Sequence, residues 1–158
     1  MNATDILKYG HRTVHQTLKS FPSTAWEQTG ACGVWSTKDI IAHLASYEHI
    51  LVDILTSVTT KGSTPTLDRY LKMGGQFNDF EVGQREEQNM QRVLQEFDDT
   101  HVVTLSLLKT IPAETLRQNG TLPWYGLDYA LDDVIVYMYY GHKREHSAQI
   151  AALQDRLR

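Results

Sequence analysis

The chain has 158 residues, 41% of them hydrophobic and 22% charged, with a net charge of -4 and one cysteine, Cys32. That length buries a core unaided and is expected to form one domain over 1–158. The acidic balance without clustered Lys and Arg argues against nucleic acid, no run approaches the roughly 20 apolar residues of a membrane span, and a lone cysteine excludes an intramolecular disulfide.

The first residues, MNATDILKYGHRTVHQTLK, hold neither a continuous apolar stretch nor a cleavage site, so a signal peptide is not expected and a cytoplasmic location is. Leu7, Val14, Leu18 and Phe21 recur along one side of a helix expected from about Thr4 to Ser20. Pro22 and the Gly30 to Gly33 stretch break it. Ser36-Thr37-Lys38-Asp39 is a capping box, and Trp35 and Ile40 occupy the hydrophobic-staple positions around it. Ile40, Leu44, Leu51, Ile54, Leu55 and Val58 carry this second helix to about Thr59, and Lys61-Gly62-Ser63-Thr64-Pro65 ends it.

Residues 66 to 88 are less regular, with a short helix near Leu67 to Met73 and a break at Gly74-Gly75. A third long helix is expected over Glu87 to Thr110, with Val93, Leu94, Phe97, Val102, Leu105 and Leu108 facing inward. Leu122-Pro123-Trp124-Tyr125-Gly126 reads as a loop. A last helix runs from about Asp128 to the C-terminus, with Leu131, Ile135, Met138, Leu153 and Leu157 on its stripe. Four long helices with a short helical insertion between the second and third predict an all-α four-helix bundle.

His142 and His146 stand at i and i+4, about 6 Å apart along the axis, and both project into the apolar stripe of the last helix. Two imidazoles on such a face need partners for their nitrogens. A shared metal satisfies both at once; hydrogen bonds to buried polar groups or water would also do so, and the spacing alone does not choose. A third ligand must come from another helix. His43, at the edge of the second helix's stripe, leads; His11 and His15 form a competing H-x-x-x-H pair, with His15 turned toward solvent. His49 projects away from its stripe, and His101 has no partner at ligand spacing.

Trp35-Ser36-Thr37-Lys38-Asp39-Ile40-Ile41-Ala42-His43-Leu44-Ala45-Ser46-Tyr47-Glu48 resembles the W-S-x-K-[DE]-x-x-x-H-[LI]-x-x-[WY]-[ED] segment of the DinB/YfiT-like superfamily. Gly141-His142-Lys143-Arg144-Glu145-His146-Ser147-Ala148-Gln149-Ile150 resembles its C-terminal H-x-x-x-H-x-x-Q-[IL]. The resemblance spans essentially the whole chain. It implies an up-down-down-up bundle and a three-histidine site for zinc or nickel, often in a homodimer, with the ligands falling on His43, His142 and His146. Characterised relatives include thiol-dependent S-transferases, a mycothiol-dependent isomerase and a hydrolase-like group that gives self-resistance to a genotoxin.

Three histidines leave an open coordination position, the arrangement of catalytic sites. The expected chemistry is a metal-dependent hydrolysis, or an S-transfer from a low-molecular-weight thiol, on a small electrophilic substrate. The alternative is a non-catalytic bundle that binds metal or ligand for sequestration in a stress response. Glu145, beside the ligands, is the candidate general base. Glu48 reads as a solvated helix carboxylate. Asp39 has a cap to make and lies one turn before His43. Asn78, Asp79 and Glu81 of the insertion, and Trp124 and Tyr125 of the loop, are candidates to line the mouth of the site; ordinary loop and helix-start roles are the alternative. Cys32 reads as structural, with no basic partner beside it.

Overall fold

Each long segment marked by apolar spacing is a helix in the computed structural model, which describes residues 2–158. Helix α1 (Ala3–Ser20) starts on Asn2, whose side chain accepts the Asp5 N–H, and it buries Leu7, Val14 and Leu18. A short antiparallel hairpin follows, β1 (Thr29–Cys32) on β2 (Trp35–Ser36). Gly30 and Gly33 lie at φ 102° and 58°, where a side chain would be strained. Strands this short leave no readable alternation, so the sequence did not announce them.

Helix α2 (Thr37–Val58) begins at the expected capping box. The Asp39 N–H donates to Ser36 Oγ at 3.1 Å, and the Ser36 N–H donates to Asp39 Oδ2 at 2.9 Å. The insertion carries α3 (Pro65–Met73) and α4 (Phe77–Gly83). Asp53 of α2 caps α3 from outside, its Oδ2 accepting the Thr66 and Leu67 N–H groups at 2.7 and 3.0 Å. Helix α5 (Met90–Leu108) starts on Asn89, and α6 (Ala113–Arg117) is one short turn. The last rod is α7 (Leu131–Val134), a π-helical segment (Ile135–Gly141) and α8 (His142–Arg156).

Side-chain pairs fix the directions. Lys38 reaches the Gln88 carbonyl, His49 meets Glu96 and Glu48 meets Thr104, so α2 and α5 run parallel. Gly10 faces Lys143 and Ser20 meets Gln154, so α1 and α8 also run parallel. His11 stacks on His101 while His15 meets Asp98, so α1 opposes α5. The result is the up-down-down-up bundle, and residues 59–89 supply the long crossing that parallel α2 and α5 demand.

Two apolar clusters fill the interior. One gathers Leu7, Ile50, Leu51, Ile54, Leu108, Leu131 and Ile135; the other gathers Val14, Ile40, Ile41, Leu44, Val93, Phe97 and Ile150. Between them lies a band of buried polar groups: His43, Ser46, Glu48, His101, Thr104, Lys143 and His146. That band explains two departures from the expected stripes. Helix α5 turns Thr100, His101 and Thr104 inward, and Val102 is 62% exposed. The π-helical segment shifts the rotational phase of the last rod, so Tyr139 enters the core and Met138 is only half-buried.

Candidate metal centre

Helix α2 carries His43 one turn beyond the capping box, at 2% exposure, and α8 presents His142 and His146 from the opposing side. His43 Nε2 and His146 Nε2 each stand 2.9 Å from His142 Nε2. The three rings meet edge to face or tilted, at centroid separations of 4.6 to 5.0 Å. All three residues that the sequence put forward as ligands are thus brought together, one donor atom each within 4.8 Å of the others.

His146 donates from Nδ1 to Gln149 Oε1 at 2.7 Å, which leaves its Nε2 a bare lone pair in the neutral ring. The His142 Nε2 carries either one proton or one lone pair, so a single hydrogen bond cannot serve both short contacts. Nor does charge bring an extra proton. Burial, followed by the neighbouring imidazoles, lowers His43 to about 2 and His142 to about 4; burial also lowers His146. Neutral imidazoles with converging lone pairs are the donor set that a divalent cation satisfies. A tetrahedral ion with bonds near 2.0 Å would need Nε2 separations of about 3.3 Å, a small opening of the contacts present.

The surroundings hold the donors in place. The Trp35 and Tyr47 rings pack on His43 at 5.0 and 4.7 Å. His43 Nδ1 is buried without a hydrogen-bond partner. Asp39 serves the cap alone and does not reach His43. Glu48 corrects the expectation of a solvated carboxylate: it is fully buried, and the Lys143 ammonium pairs with it. Burial pushes its pKa up, but Lys143 and His101 outweigh burial and hold it at about 2. No apolar periodicity marked this pair, since a Glu and a Lys on two helices read as surface until the helices are placed together.

A cavity of about 490 Å³ opens beside the histidines, lined by Tyr47, Tyr70, Leu71, Gly74, Gly75, Asn78, Trp124 and Tyr125. Asn78, Trp124 and Tyr125 thus line this cavity. Asn78 Oδ1 accepts the Tyr47 hydroxyl at 3.3 Å. Tyr47 and Tyr70 also border a neighbouring space of about 300 Å³ that reaches His142 and Glu145. Sequence reasoning missed Tyr47 and Tyr70; Tyr47, one turn after His43, carried the spacing signal that could have found it.

Asp79 and Glu81 stand apart from this mouth. Asp79 accepts the Trp35 indole N–H at 3.2 Å. Glu81 is buried in an ion-pair chain with Arg69 and Arg85, which continues through Glu96 to His49. Cys32 is a free, half-buried thiol on β1. Among the described residues no helix is long and apolar enough to cross a membrane.

A family model described as the DinB superfamily matches residues 6–150, a span that contains all three histidines and the whole cavity. Comparison with curated proteins and with solved structures gives no match.

Proposed function

The chain belongs to the DinB superfamily, and from that premise we propose that it is a metal-dependent enzyme acting on a small electrophile. The observation that carries the reading is the convergence of three imidazole Nε2 atoms, those of His43 and His146 each 2.9 Å from that of His142. Zinc or nickel suits three imidazoles. When bound there, such an ion supplies an open coordination position that activates a water or a low-molecular-weight thiol as nucleophile.

The chain's own residues supply the rest. Glu145 borders the same space as His142, and in this reading it accepts a proton from the nucleophile. Tyr47 is fixed by Asn78 and offers its ring and hydroxyl to a bound substrate. Trp124, Tyr125 and Tyr70 supply flat apolar walls. No Lys or Arg lines this cavity, which favours an uncharged electrophile over an anionic one. Hydrolysis and S-transfer differ only in the nucleophile admitted.

The test is turnover of a panel of uncharged epoxides and alkyl halides by the zinc- or nickel-loaded protein, with and without added thiol. The proposal expects metal-dependent consumption that His142→Ala abolishes. Tight binding of panel members without turnover would overturn it in favour of a sequestering bundle.

A further inference from the structure

The second H-x-x-x-H pair, on α1, is also part of a built cluster. His11 Nε2 and His15 Nε2 lie 2.9 and 2.6 Å from one oxygen of Asp98, which α5 brings across from the other side of the helix interface. The three donor atoms all fall within 4.8 Å of one another. We propose that His11, His15 and Asp98 form a second metal site, for a divalent first-row transition ion.

Three features carry this. The donor set is two imidazoles and a carboxylate, a combination that binds first-row divalent ions and brings one negative charge to them. The arrangement is already rigid on one side: His11 is clamped in a parallel stack on His101, with centroids 3.9 Å apart and planes 2° apart, and rests on Phe97 at 4.5 Å. Finally, the side toward solvent is open. The side chains of His15 and Asp98 are 38% and 36% exposed, so an ion can enter and water can complete its shell. The contacts of 2.6 and 2.9 Å to the shared oxygen would widen by roughly half an ångström to admit bonds near 2.0 Å.

The site differs from the first in its protons as well as in its donors. Here the imidazoles lie against a carboxylate oxygen, His15 hydrogen-bonding it at 2.6 Å, so metal binding exchanges a proton for the ion. The site is independent of His43, His142 and His146, because none of its ligands belongs to that centre.

The experiment is zinc titration of the chelator-stripped full chain by calorimetry, with bound metal counted by elemental analysis. Two equivalents are expected for the unaltered protein, one for His15→Ala, one for Asp98→Asn and one for His142→Ala. In the His142→Ala background, zinc should shift the His15 ring resonances at about one equivalent. His15 and Asp98 are partly exposed, so their variants keep the fold, which a circular-dichroism melt verifies. Unchanged zinc stoichiometry and affinity in both His15→Ala and Asp98→Asn would overturn the proposal. A loss confined to His142→Ala would do the same, while leaving the first centre standing.

Discussion

The Lys143 ammonium of α8 pairs with the Glu48 carboxylate of α2 in the bundle interior, next in sequence to His142 and just over one turn beyond His43. Thr104 donates to the other Glu48 oxygen at 3.4 Å, and His101 lies 3.9 Å from it. This pair joins the same two helices that supply the three imidazoles.

Removing one partner strands a buried charge. Lys143→Met and Glu48→Gln should each destabilise the fold by about 3–5 kcal/mol. The double variant should lose much less than the sum, because no unpaired charge remains. Urea unfolding of the four proteins checks this; additive losses would show that the two groups do not act as a pair.

Buried neutral histidines make the metal-free fold sensitive to acid. His11, His43 and His142 are lowered to about 2, 2 and 4, and His146 is also lowered. Below their unfolded value near 6.5 the unfolded chain takes up protons that the folded chain refuses. Stability is therefore complete above that pH and declines as pH falls, by up to about 1.4 kcal/mol per pH unit for each such group. Between pH 6.5 and 5 the lowered carboxylates Glu48 and Glu96 do not yet contribute, since their unfolded values lie near 4.5. Melting temperatures of stripped protein across that window should fall, and His43→Gln should fall less steeply. A flat profile would contradict the assignment.

Trp124 stands on the wall of the cavity, its ring against Tyr70. Trp124→Ala should weaken an uncharged aromatic ligand about tenfold, or ~1.4 kcal/mol, through lost stacking area. Metal content should not change. Equal losses of ligand and metal would mean that the loop organises the centre itself.

Ser36 and Asp39 cap α2, and their role ends there. Ser36→Ala should cost about 1 kcal/mol in stability while leaving zinc stoichiometry intact, as chemical unfolding and elemental analysis would report.

The sequence made the scaffold legible where one local rule operated. The Ser36 capping box, the Leu7–Val14–Leu18 stripe and the i, i+4 spacing of His142 and His146 each follow from helix geometry alone. His43 became a ligand candidate through the family motif, since spacing did not separate it from His11. What stayed hidden depends on neighbours distant in the chain. Glu48 and Lys143 become a buried pair only once α2 and α8 meet, and Val102 faces outward because α5 turns its polar residues to that pair. Met138 packs on the core only half-buried, because π-helical hydrogen bonding shifted the phase, which a 3.6-residue projection cannot register. His11 projected to the edge of its stripe and His15 further round toward solvent, yet Asp98 gathers both.

In the proposed centre, three imidazoles from two helices hold one ion. X-ray absorption spectroscopy of zinc-loaded His15→Ala protein, which leaves only the His43 centre, tests it most directly. One equivalent of zinc with three imidazole nitrogens at about 2.0–2.1 Å is expected, with loss of that shell in His43→Ala and in His146→Ala. A zinc shell without imidazole, or one that survives both substitutions, would contradict it.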